Sequence, residues 1–391
     1  MRCQRAVSRI LICPARLIAF GAGCRRPLLG LFNRLRQWFN PRPKVEVAPA
    51  VAPKPGVQRG FVDHVIILDG TFSSLDTGQE SNAGVTFRLL REKGVPGRRT
   101  VYYEPGLQWE GWRYAVALMQ GRGINPQIRR AYGFLASHYR PGDRIFLFGY
   151  SRGAFAVRSL AGVIDRVGLL KREHATERAV RLAWRHYRHD PNRTSARAFA
   201  RRFCHDDANV EMVGVWDTVK ALGLRLPLLW MLTDQRTAFH NHQLGPAVKY
   251  GFHALALDET RDVFEPVLWE TPQEWHGHIE QVWFRGAHAD IGGQLGSFEV
   301  ARPLANIPLV WMLERAEDCG LALPQGWRSR FPCDATVPMV GTMKSWGKFF
   351  LLRHRRVVGR DPSERVHPTA LVVPRRWWQA RIPFAVQKKS G

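Results

Sequence analysis

The sequence predicts a chain of the α/β class, with a mostly parallel sheet and helices on both of its faces. Three observations carry this. Short apolar runs bounded by turn residues recur at 62–68, 144–148, 210–216 and 279–284, the signature of buried strands. Between them lie segments with apolar residues at helical spacing, clearest at 155, 157, 160, 163, 164 and 167. Strands alternating with helices pack as a sheet covered on both sides.

The elements are read in order from the N-terminus. Residues 1–60 hold 12 Lys or Arg and a single Glu. The apolar run Ile10–Phe20 is broken by Pro14 and Arg16, which argues against a working signal segment despite the Gly21-Ala22-Gly23-Cys24 sequence after it. Leu28, Leu31, Phe32, Leu35 and Phe39 share one side of a short basic amphipathic helix, of a kind that lies on membrane surfaces. Residues 1–40 are therefore read as a basic amphipathic segment. Pro41, Pro43, Pro49, Pro53 and Pro55 make 41–60 a stiff linker, so the folded domain is expected over 61–375. Val62–Leu68 is the first strand and ends in Asp69-Gly70-Thr71. Helical stretches follow over 115–138, interrupted at Gly121-Arg122-Gly123, and the turn Pro141-Gly142-Asp143 leads into the second strand. A helix over 152–170 comes next. The segment 171–205, rich in Arg, His and Ala, reads as a helical cap insertion. Val210–Trp216 and Ile279–Phe284 are the third and fourth strands, separated by the apolar stretch 222–232 with Pro227. A helix is predicted over 308–319, the pattern weakens after Gly326, and 376–391 reads as a tail.

Composition narrows the function classes. Over 391 residues, 45% hydrophobic content supports a sizeable core and argues against a disordered chain. No apolar run approaches the 18 or so residues of a membrane span. The six cysteines form no CxxC pair, so neither a disulfide scaffold nor a structural zinc site is expected. No cofactor is implied. A net charge of +25 favours polyanions or anionic membranes. The arginines are not interleaved with aromatics on a recognisable platform, which makes nucleic acid an unlikely partner.

The motif that carries chemistry is Gly149-Tyr150-Ser151-Arg152-Gly153. It follows a buried strand and opens a helix, the setting of a nucleophile elbow. Small residues at 149 and 153 make room for the tight turn, and the helix N-terminus favours developing negative charge. Ser151 is the expected nucleophile, with the Arg152 amide as one oxyanion donor. A serine hydroxyl needs a base. His288 follows a strand in the glycine-rich loop Gly286-Ala287-His288-Ala289-Asp290-Ile291-Gly292-Gly293 and is the preferred choice, with His367 as runner-up. The other histidines, among them His240 and His242, read as solvated. The base needs an acid to orient it. Asp217, at the end of the third strand, gives the order Ser–Asp–His of α/β-hydrolases. Asp290 is the competing acid, or else a brace for the loop. The second oxyanion donor is sought after the first strand, at the amide of Gly70 or Thr71, with Asp69 organising that turn. A cation between His288, Asp290 and Asp69 finds no dense ligand cluster in support.

With these residues in view, the sequence resembles the bacterial and fungal family of uncharacterised α/β-hydrolase domains that includes phospholipase effectors of type VI secretion. The resemblance rests on LDGT (68–71), FGYSRGAFAVRSLAG (148–162), GVWDTV (214–219), FHALALDETRDVFEPVLW (252–269), VWFRGAHADIGG (282–293) and VHPTAL (366–371), spread over about 61–375. It implies a Ser–Asp–His triad at Ser151, Asp217 and His288, and hydrolysis of esters, with lipids as substrates. Two departures stand out. Gln294 follows Gly293 where the family often has a longer glycine run. The effector members also carry large C-terminal membrane-binding regions not matched here, so membrane contact is expected from 1–40, from 222–232 or from the basic helical segment. The chain is thus expected to be cytoplasmic or peripheral to a membrane, with export as an effector as an alternative. The rival function is a catalytically silent basic adaptor on the same scaffold.

Overall fold

The computed structural model describes residues 45–48, 60–92, 98–106, 124–219, 243–343, 352–374, 379–383 and 386. The expectations for 1–40, for Gly121-Arg122-Gly123, for 222–232 and for His240 and His242 lie outside them.

Among the described residues, eight strands form one sheet: β1 (Glu46–Ala48), β2 (Asp63–Leu68), β3 (Arg99–Glu104), β4 (Arg144–Tyr150), β5 (Val210–Trp216), β6 (Val248–Ala256), β7 (His278–Phe284) and β8 (Glu364–Val366). Their spatial order is β1-β3-β2-β4-β5-β6-β7-β8, and every pairing is parallel except the antiparallel β1–β3 edge. This is the α/β-hydrolase-like sheet that the sequence predicts. Side chains alternate across it, as strand geometry requires. Ile66 and Leu68 of β2, Ile145 and Leu147 of β4, and Val213 and Val215 of β5 enter one apolar core. Val65, Ile67, Phe146, Phe148, Met212 and Trp216 enter the other.

The first core is covered by α2 (Ile124–His138) and α3 (Arg152–Val167), the second by α1 (Asn82–Leu90) and α7 (Arg302–Asp318). The predicted helix at 308–319 begins earlier, at Arg302. Pro308 is accommodated inside it, and its carbonyl accepts the Trp216 indole N–H at 3.1 Å. The glycine-rich loop after β7 contains the one-turn helix α6 (His288–Gly292).

Three expectations need correction. The proline-rich 41–60 is not all linker, because Glu46–Ala48 pairs with β3 and closes that sheet edge. The tail beyond 375 is not free: Ala380 and Val386 are buried in a cluster with Leu255, Trp283 and Val366. The helical insertion at 171–205 is present as a short 3-10 turn, α4 (Glu177–His189) and α5 (Thr194–Phe203), but it does not stand over the C-terminal ends of the strands. Its apolar face, with Val180, Ala183, Trp184, Tyr187 and Phe199, joins the first core. Tyr187 meets Gly162, about 16 Å along α3 from Ser151 at the usual helical rise. The Leu170–Cys204 bridge returns the chain to where it left.

Candidate active site

Register brings the predicted residues together. Leu68 of β2 pairs with Gly149 of β4, and Tyr150 with Trp216 of β5, so the turns after these three strands are neighbours. They lie beyond the C-terminal strand ends, where open α/β sheets hold their ligands.

Ser151 occupies φ +56°, ψ −118°, a backbone conformation that costs on the order of 1–3 kcal/mol for a residue with a side chain. The turn tolerates this because its flanks are glycines. A β-carbon at 149 would fall 2.7 Å from Ala154 backbone atoms, and one at 153 would fall 2.0 Å from the Leu68 carbonyl oxygen. Although Ser151 is the N-cap of α3, its side chain makes no capping bond. Its Oγ lies 2.9 Å from His288 Nε2 instead.

His288 Nδ1 is 2.6 Å from Asp217 Oδ2. Both side chains are buried. Asp217 has φ +37°, and its Oδ1 accepts the Ala256 amide at 3.0 Å. Burial works against its charged form, but Arg356 and the His288 hydrogen bond prevail and hold its pKa below the usual carboxylate value. The imidazole is sandwiched between Tyr150, centroids 5.0 Å apart, and Phe264, 4.6 Å apart. Its backbone amide donates to Glu259 Oε2 at 3.1 Å, and Glu259 in turn receives a two-pronged bond from Arg261 at 2.6 and 2.8 Å.

The other predicted residues fall into defined places. Asp290 accepts the amides of Ala287, Val340 and Gly341, so it braces the loop and does not serve the imidazole. Burial outweighs those bonds and raises its pKa. Asp69 accepts the Ser81 and Tyr103 hydroxyls at 2.6 and 2.7 Å and organises the turn after β2. Its carboxylate also takes the Gly70 amide at 2.6 Å. That bond occupies the Gly70 amide, so of the two candidate oxyanion donors after β2 only the Thr71 amide remains a candidate. The Thr71 hydroxyl is held by Arg152 and its carbonyl by Gln294 Nε2 at 3.0 Å. The Arg152 amide, first in its helix, has no intrahelical acceptor. His367 is engaged elsewhere: it bonds Thr369, stacks on Phe284, and burial lowers its pKa to about 4. Among the described residues no group of His, Cys, Asp and Glu could hold a metal ion.

Sequence reasoning missed Glu259, Arg261 and Phe264, though all three lie in the FHALALDETRDVFEPVLW segment. The buried acid and aromatic within a polar loop were the available signal. It also missed Arg356, which no motif marks.

The family described as type VI secretion system, phospholipase effector Tle1-like, catalytic domain, matches residues 63–315. The uncharacterized protein YEL023C of Saccharomyces cerevisiae is 30% identical over 237 residues, 54% of this chain and 33% of that protein. Among solved structures, the Tle1 effector bound to the VgrG spike of the type 6 secretion system is 17% identical with TM-score 0.37, over 64% of this chain and 57% of that one. The butyrate-bound esterase Est2 of Thermogutta terrifontis is 13% identical with TM-score 0.37, over 72% and 91%. Likenesses of that size do not bear on activity. The chain spans a third of the yeast relative and just over half of the Tle1 effector chain. The family match runs from the first residue of β2 through most of α7, more than half of the molecule, and the chain belongs to the Tle1-like phospholipase effector catalytic-domain family.

Proposed function

We propose that the protein is a serine hydrolase that cleaves carboxylic esters, with lipid or phospholipid acyl esters as its substrates. The observation that carries this reading is the continuous relay Ser151 Oγ to His288 Nε2 at 2.9 Å and His288 Nδ1 to Asp217 Oδ2 at 2.6 Å. Ser151 attacks the ester carbonyl while His288 takes its proton. The Thr71 and Arg152 amides receive the oxyanion. His288 then protonates the leaving alcohol, leaving an acyl group on Ser151. It next draws a proton from water, which attacks the acyl carbonyl and frees the acid. Asp217 fixes the imidazole tautomer and stabilises the imidazolium throughout.

Family membership supports the lipid substrate class. Contact with an anionic membrane, and export as an effector, belong to the same proposal. The test is hydrolysis of short p-nitrophenyl esters and phosphatidyl lipids by the wild type and Ser151→Ala. A loss on the order of 10⁶-fold in kcat is expected. Equal rates for the two proteins would remove the reading in favour of a silent adaptor.

A further inference from the structure

Arg356 lies 41 residues past the end of the family match and reaches the acid of the relay from behind. Its segment runs beside the loop after β6. Arg353 bridges Arg261, the His354 amide donates to the Thr260 carbonyl at 2.7 Å, and the Asp262 amide donates to the Leu352 carbonyl at 3.1 Å. This pairing inserts the Arg356 guanidinium, 7% exposed, with Nη2 3.6 Å from Asp217 Oδ2 and 2.5 Å from the Phe264 carbonyl oxygen. Phe264 is the ring that covers His288. Nη1 is buried and finds no hydrogen-bond partner among the described residues. A guanidinium that only stapled two loops together would be expected to use both nitrogens on carbonyls. This one puts a single nitrogen, Nη2, on the Phe264 carbonyl and beside the Asp217 carboxylate, and leaves the other unused.

We propose that Arg356 is a positioning residue of the relay, tuning the basicity of His288 through Asp217. This rests on the reading of Ser151, His288 and Asp217 as the catalytic set. The groups facing Asp217 are His288, Arg356, Tyr150, the neutral His253 and, a step further out, Glu259 with its Arg261 partner. Among these, Arg356 is the cation closest to the carboxylate that also touches the His288 clamp. Without it, the full charge of Asp217 acts on the imidazole. His288 then keeps its proton to higher pH, where it is no base.

The experiment is the pH profile of kcat for wild type, Arg356→Met and Arg356→Lys on a soluble p-nitrophenyl ester, with fluorophosphonate labelling of Ser151 as a second readout. Arg356→Met should lose about ten- to a hundredfold at neutral pH with KM little changed, and recover as pH rises, because its acid limb has moved up. Arg356→Lys should restore much of the limb position. Arg356→Met combined with Asp217→Asn should lose no more than Asp217→Asn alone, since the two act in one chain. A wild-type limb in Arg356→Met, or a loss that does not recover at high pH, or additive losses, overturns the proposal. If Arg356→Met fails to fold, an Arg356→Lys profile shifted the opposite way does so. A wild type that neither turns over esters nor labels would instead sink the reading on which it rests.

A second observation stands apart from the site. On α4, Arg178, Arg181 and Arg185 recur at spacings of three and four, and Arg193, Arg197 and Arg201 recur every four residues along and just before α5, all of them exposed. The aromatic residues Trp184, Tyr187 and Phe199 point the other way, into the core. Arg181 pairs with Glu177 and Arg193 with Asp190, while Arg178, Arg185, Arg197 and Arg201 have no acidic partner among the described residues. The geometry points to a docking face for an anionic lipid surface. Its Trp, Tyr and Phe rings are buried or half-buried, so none of them offers an exposed face on which nucleic-acid bases would stack. The test is sedimentation of the full chain with vesicles of phosphatidylcholine, alone or mixed with phosphatidylglycerol. Arg178→Glu, Arg185→Glu, Arg197→Glu and Arg201→Glu together should weaken binding to the mixed vesicles by about a hundredfold or more and leave soluble-ester turnover unchanged. Unaltered vesicle binding, or tighter binding of the wild type to a single-stranded oligonucleotide than to the mixed vesicles, would overturn it.

Discussion

At Ser151 the backbone conformation is held by its neighbours. The positive φ is tolerated because residues 149 and 153 have no β-carbon to collide with α3 and the β2 carbonyl. Gly153→Ala should therefore be severely destabilising, by more than about 4 kcal/mol, and yield insoluble or unfolded protein. Soluble expression and circular dichroism check this; a folded, active Gly153→Ala would refute the packing argument. Asp217→Asn should fold but lose roughly 10⁴-fold in kcat, because the amide favours the wrong imidazole tautomer. Both sites were legible from spacing and order along the chain, because a tight strand-to-helix turn needs particular residue types. The fate of the Gly70 amide was not legible. It depends on whether Asp69 folds back on its own turn, and Ser81 and Tyr103, both distant in sequence, hold the other carboxylate oxygen.

Elements repeat that division. β2, β4, β5 and β7 were visible because strands buried on both faces read as continuous apolar runs. β3, which begins Arg99-Thr100 and ends at Glu104, was not. Nor was β6, with Lys249, Gly251 and His253 among its residues. Their polar members are absorbed by specific partners: Glu104 by Arg130 and Tyr102, His253 by the Thr218 amide. The insertion at 171–205 shows the opposite failure. Its helices were foreseeable, but their place was not, since an amphipathic face states only that something must cover it. Because α4 buttresses α3 away from Ser151, Trp184→Ala should cost about 3–5 kcal/mol in stability and lower Tm, while kcat and KM at a permissive temperature stay near wild type. A changed KM would restore the insertion to the role of a cap over the site.

Across the whole molecule, burial couples folding to pH. His253 is buried in β6, and desolvation lowers its pKa to about 3 from 6.5. The folded state therefore refuses a proton that the unfolded chain accepts. The contribution of this group to stability is full above pH 6.5 and is lost as the pH drops from there toward about 3. His367, lowered to about 4, acts in the same direction. Thermal melts from pH 8 to about 4 should show Tm declining below about 6.5, and His253→Gln should flatten that slope. An equal slope in the variant would refute the assignment.

The sequence by itself determined the class of the sheet and the strand-to-helix turn at Ser151, and it put Asp217 and His288 forward as candidates, because each of these is written in local residue types and in order along the chain. The tertiary structure decided which amide remains free for an oxyanion, where the helical insertion packs, and that Arg356 stands behind Asp217. Those outcomes follow from contacts between segments tens to hundreds of residues apart. Such contacts are fixed by sheet register and by the burial of charge, neither of which a local pattern encodes.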